Sequence, residues 1–138
     1  MKIDFDAMLK VAESARENAH CPYSHFAVGA CVLSDTGELF AGCNVENSAY
    51  PSGQCAEATA IGNMVTQLGP RKIKALLILT DTKQPVASCG ECLQKISELA
   101  AADAQLISYT CSGKKLQHDF KACLPMRYTD EDLHNIKG

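Results

Sequence analysis

Apolar residues recur at helical spacing along residues 5–19, where Phe5, Met8, Leu9, Ala12 and Ala15 fall on one face. Cys21-Pro22 closes that helix. Residues 26–33 form a continuous apolar run that reads as a buried strand, Asp35-Thr36-Gly37 as a hairpin turn, and residues 38–45 as its partner. A loop rich in Asn, Ser, Pro and Gly covers residues 47–53. Residues 55–68 have helix composition, and Gly69-Pro70 stops them. The run ALLILT at residues 75–80 suits a central strand with both faces covered.

The second half continues in the same way. Residues 81–88 form a loop and residues 89–101 a further helix. Residues 105–111 and 115–120 are strands around Ser112-Gly113, and Thr129 with Asp132 three residues on caps a short final helix. This order predicts an α/β fold: a three-layer sandwich with a mixed sheet of about five strands flanked by helices. No repeat, low-complexity tract or linker interrupts it, so residues 1–138 are expected to form a single domain.

Composition removes several function classes. Hydrophobic residues make up 46% and charged residues 21%, which supports a buried core and argues against disorder. No stretch approaches the ~20 apolar residues of a membrane span. Asp4 and Asp6 stand where a signal peptide would need an apolar stretch, so a cytoplasmic protein is expected. A net charge of −3 and only 6% aromatics, none of them Trp, give no footprint for long nucleic acid. The eight cysteines stand out. Without an export signal they point to metal binding or catalysis more than to a disulfide scaffold.

Two segments carry that chemistry, Cys55-Ala56-Glu57 and Cys89-Gly90-Glu91-Cys92, and each lies where a loop enters a predicted helix. Backbone N–H groups and the helix dipole are expected to favour thiolate there. Cys89 and Cys92, three residues apart at a helix start, lie on nearly one face and can hold one ion together. A third thiolate from Cys55 gives three protein ligands with Zn–S near about 2.3 Å, leaving a fourth position for water, as in a catalytic zinc site. Glu57, two residues beyond Cys55, projects toward that position. There a carboxylate can take a proton from water and return it to a substrate nitrogen.

The stretch NVENSAYPSGQCAEATAI (residues 44–61), with SCGECLQ (88–94) and CPYSHFAVGA (21–30), closely resembles the small zinc-dependent cytidine deaminases of pyrimidine salvage. Leu124-Pro125 extends the likeness over most of the chain. Three ligands plus a non-ligand Glu is a pattern general to zinc deaminases of nucleobases. The resemblance implies one Zn²⁺ per chain on Cys55, Cys89 and Cys92, with Glu57 as the catalytic proton shuttle. It implies that Asn44 and Glu46 bind the ribose hydroxyls, that Phe26 packs on the pyrimidine and that Ala56 offers a backbone contact to the base. Ser48 and Tyr50 match positions that reach a neighbouring subunit's site, and Tyr128 matches a C-terminal aromatic near the pocket. A homotetramer acting on a small nucleoside is the implied assembly.

Each of these residues also has a plainer reading. The C-x-x-C could be a zinc knuckle, which normally needs a second such pair, or a redox pair, which normally follows an early strand. Glu57 could be a solvated helix position, Asn44 and Glu46 an exposed strand end and loop, and Phe26 and Tyr50 packing aromatics. Cys21, Cys31, Cys43, Cys111 and Cys123 read as small buried residues, and the four histidines form no ligand spacing. The chain departs from the family pattern at Ala58 and Leu93, where Arg is usual, and at Ser88, where Pro is usual. Three functions therefore compete: cytidine or deoxycytidine deaminase, deaminase of a modified nucleoside or blasticidin-like antibiotic, and non-catalytic zinc-stabilised binding domain. Asn44 and Glu46 favour a ribose-bearing substrate, and Glu57 favours catalysis over binding alone.

Overall fold

The computed structural model describes residues 2–135. Helix α1 (Phe5–Glu17) starts at Asp4, whose carboxylate accepts the Ala7 N–H at 3.0 Å and satisfies an otherwise unpaired first-turn donor. The chain continues through β1 (Val28–Ser34), β2 (Leu39–Cys43), α2 (Ala56–Leu68), β3 (Ile73–Thr80), α3 (Gly90–Leu99), β4 (Ala100–Thr110), β5 (Lys115–Asp119), α4 (Phe120–Cys123) and α5 (Asp130–His134). Among the described residues one five-stranded sheet forms in the order β2-β1-β3-β4-β5. Strands β3 and β4 are parallel and every other pair is antiparallel. The sheet is mixed, as expected.

Parallel neighbours need a crossover, and α3 supplies the one between β3 and β4. Strand β2 also runs in the direction of β3, with β1 between them, and α2 makes that crossover. Strand alternation then sorts the core into two layers. Cys31, Leu33, Ala75, Leu77 and Leu79 pack with Met8 and Ala12 of α1. Ala30, Val32, Leu76 and Ile78 pack with Ala60 and Met64 of α2 and Ile96 of α3. Both faces of β1 and β3 are covered, which explains their unbroken apolar runs.

Helix α2 lies so close to β2 that Gly42 leaves no room for a side chain. A Cβ there would meet the Ala56 carbonyl oxygen at 2.3 Å and the Ala60 nitrogen at 2.4 Å. Backbone atoms cannot move aside as a flexible side chain does, so this contact fixes the height of the first turn of α2. Its N-terminus carries the residues of most chemical interest. At the far end of the helix, Gly69 takes φ 78° and ψ −176°, a positive-φ conformation that favours glycine.

Two elements differ from expectation. Helix α3 ends at Leu99 and β4 begins at once at Ala100, five residues before the expected strand, because a run of alanines carries no strand signal. The register shift between Ile73 and Ala75 absorbs this early start. Phe120, expected at a strand end, opens the short helix α4 and is fully buried there. The capping box at Thr129 and Asp132 forms as expected, with the Thr129 N–H donating to Asp132 Oδ2 at 2.9 Å. No helix among the described residues is long and apolar enough to cross a membrane.

Candidate metal and catalytic site

Cys55 and Cys89 are the residues immediately before α2 and α3, both in extended backbone, and Cys92 lies in the first turn of α3. The two crossovers bring these helix starts to one place, outside the ends of β2 and β3, where α/β sheets commonly form a crevice. The three sulfurs lie within 4.8 Å of one another. That spacing is one that a single zinc ion can bridge at bond lengths near about 2.3 Å.

The protein surroundings by themselves work against ionisation of two of these thiols. Burial pushes Cys92 far up, and the charges of Glu57 and Cys55 add to the effect. Burial likewise raises Cys55, outweighing a lowering hydrogen bond from Cys92. Desolvation of sulfur and repulsion within the cluster both disfavour the thiolate. Clustered thiolates beside a carboxylate therefore need a cation to ionise together. A soft three-sulfur donor set suits zinc, so the residues present fit the metal.

Glu57 occupies the first turn of α2 and is only 5% exposed. It borders a cavity of about 410 Å³ that Cys55, Cys89, Phe26, Asn44 and Glu46 also line. Cys92 stands behind that wall, fully buried. Ala56 and Tyr50 line the same cavity, Tyr50 at its rim with 76% exposure, packed edge-on to Tyr23 at 5.9 Å between ring centroids. Two expected site residues lie elsewhere in this chain. Ser48 is exposed in the loop before α2, and Tyr128 is 56% exposed, its carbonyl accepting from Gln94 Nε2 at 3.0 Å.

Asn44 and Glu46 do more than face the cavity. The Val28 N–H donates to Asn44 Oδ1 at 2.9 Å, and Asn44 Nδ2 donates to the Phe26 carbonyl at 2.7 Å. Glu46 Oε1 accepts the N–H groups of Tyr23 and Ser24 at 3.0 and 3.1 Å, and Oε2 accepts the Ser24 hydroxyl. The Ser24 hydroxyl holds the Glu46 carboxyl below the usual carboxylate range, with the backbone donors and the charge of His20 contributing. Both residues keep spare capacity, since an amide nitrogen has two hydrogens and a carboxylate about four acceptor sites. Sequence reasoning missed Ser24 because its partner lies 22 residues away.

The departures from the family pattern also have a structural setting. Leu93 packs against the core on the α2–α3 side, and with Ser88 it borders a second cavity of about 260 Å³ whose walls include Leu106 and Leu116. An arginine at 93 would face that apolar lining. Of the other cysteines, Cys31 is buried against α1 and its thiol is pushed up to about 12 by burial. Cys21, Cys43 and Cys123 are half-buried, and Cys111 is exposed.

Residues 2–108 match the family model described as the cytidine and deoxycytidylate deaminase zinc-binding region. The chain is 37% identical over 131 residues to a cytidine deaminase of Sporosarcina psychrophila, covering 95% of this chain and 96% of that protein. It is 36% identical over 133 residues to a cytidine deaminase of Halalkalibacterium halodurans, covering 96% and 100%. The fold superposes on the crystal structure of a Burkholderia pseudomallei cytidine deaminase with a TM-score of 0.85 and 33% identity. That match covers 91% of this chain and 100% of the other.

Proposed function

We infer, from a chain that belongs to the cytidine and deoxycytidylate deaminase family, a zinc-binding hydrolase that converts a cytosine nucleoside and water into the uracil nucleoside and ammonia. The observation that carries this reading is the meeting of Cys55, Cys89 and Glu57 at one cavity wall, with Cys92 directly behind. Cys55, Cys89 and Cys92 would hold the metal, and bound zinc supplies Lewis acidity that makes water a nucleophile near neutral pH. Glu57 takes a proton from the attacking water and delivers it to ring N3. A second transfer, to the exocyclic amine, lets ammonia leave as C4 becomes a carbonyl. Phe26 packs on the pyrimidine, and the first turn of α2 at Ala56 offers its backbone to the base.

Charge supports a nucleoside over a nucleotide. Glu46, Glu57 and Glu91 line the cavity, and no Lys or Arg does so among the described residues. A 5′-phosphate would meet these carboxylates with no cation from this chain to offset them. Asn44 and Glu46 address the sugar hydroxyls with the capacity left over from their loop contacts. Replacing either with Ala should lower kcat/KM for cytidine at least ~10-fold more than for 2′,3′-dideoxycytidine, because it removes a hydrogen-bonding partner of hydroxyls that only cytidine carries. Equal losses on both substrates would remove the sugar assignment.

The reading extends to a homotetramer in the cytoplasm, where thiol ligands are kept reduced. Tyr50 at the cavity rim and Ser48 on the adjoining exposed loop are available to complete a neighbouring subunit's site. Light scattering during turnover should give a mass of four chains, and a fully active monomer would refute the shared site.

A further inference from the structure

The loop between α1 and β1 carries Phe26 into the cavity, and Ser24 sits at its centre. The Ser24 hydroxyl donates to Glu46 Oε2 and at the same time accepts the Phe26 N–H at 3.0 Å. The Ser24 N–H adds a second bond to the same carboxylate. Between them, His25 takes φ 55°, the left-handed region, and its N–H returns to the Cys21 carbonyl at 2.9 Å. The chain therefore reverses sharply just before Phe26, a conformation that a non-glycine residue holds only when its neighbours are tied down. One hydroxyl is thus interposed between the Glu46 carboxylate and the backbone that carries the Phe26 ring, both of which line the cavity.

We propose that Ser24 is a positioning residue that couples the two ends of the nucleoside site, setting the Phe26 ring according to the position of the Glu46 carboxylate. This rests on the reading above, in which Glu46 meets the sugar and Phe26 the base. A hydroxyl serves both roles because it donates and accepts at once. Donation to a carboxylate is the stronger of the two bonds, and it polarises the oxygen that receives the Phe26 N–H. Alanine at 24 breaks both links and leaves the carboxylate and the ring to settle independently. Glu57 and the cysteines stand on α2 and α3, outside this loop, so binding should suffer and the chemical step should not.

The test is a set of variants on zinc-loaded protein: Ser24→Ala and Ser24→Thr, each alone and combined with Phe26→Ala, assayed with cytidine and 2′,3′-dideoxycytidine. Ser24→Ala should raise KM about tenfold for both substrates, the loss expected for a hydrogen bond to a charged group, with kcat within about threefold of the parent. Ser24→Thr keeps the hydroxyl and should restore KM to within about threefold. With 2′,3′-dideoxycytidine, which lacks the hydroxyls Glu46 addresses, the Ser24→Ala change should add nothing further in the Phe26→Ala background, since coupled residues are not additive. A full additional penalty in that background would overturn the proposal. So would a penalty confined to cytidine, which would mean that Ser24 acts on the sugar contact alone. Failure of the sugar reading looks different: Glu46→Ala would then weaken both substrates equally while the Ser24–Phe26 coupling persisted.

Discussion

Glu57→Gln is expected to leave the fold and the bound zinc intact while turnover falls by ~10²–10⁴-fold or more. Glutamine has the shape of glutamate, so it fits the nearly closed position in the first turn of α2 without disturbing the core beneath it. It cannot take a proton from water or return one to N3 and then to the departing amine. In the proposed role one residue serves several transfers, so a loss at the upper end of that range is expected. Glu57 also raises the thiols of Cys55 and Cys92, and removing its charge should not weaken their ionisation. Rates measured beside zinc content decide the matter. Turnover within a few-fold of the parent, with zinc bound, would sink the proton-shuttle role.

Loss of a ligand should be as severe and should reach beyond activity. Cys55→Ser, Cys89→Ser and Cys92→Ser are each expected to bring zinc well below one per chain and to abolish measurable turnover. The cluster ties the start of α2 to the start of α3, so the metal crosslinks two crossovers as well as serving the reaction. Folding and metal binding are linked in such a site. The melting midpoint should therefore drop on chelation, by roughly 3–4 °C for each kcal/mol of metal-linked stability in a chain of this size. The two apolar layers around β1 and β3 remain, so the stripped protein should still unfold cooperatively. A Cys89→Ser protein with full zinc and an unchanged midpoint would refute the ligand set.

The features legible in the sequence were those written locally. The order of elements followed from periodicity and stop signals, and the ligands could be named because helix starts turn short motifs into clustered side chains. What escaped depends on contacts between distant segments. Ala100 begins a strand where Ile73 of β3 pairs with it, and Phe120 opens a helix with its ring buried in the core cluster. The hydrogen bonds of Glu46 reach back across 22 residues or more to Tyr23 and Ser24, which no spacing rule connects. The burial that raises the Cys55 and Cys92 thiols is likewise invisible in a motif, which says nothing of how deeply a sulfur lies. Tyr128, whose surrounding sequence LPMRY departs from the family's usual one, is not among the residues that line the cavity of this chain.

The most direct test is reconstitution. Chelator-stripped protein is titrated with zinc while cytidine, uridine and ammonia are measured together. Uridine and ammonia should appear in equal amounts, at a rate that rises with added zinc and levels off at one ion per chain. A chain carrying one zinc on Cys55, Cys89 and Cys92 that leaves cytidine unchanged would contradict the account.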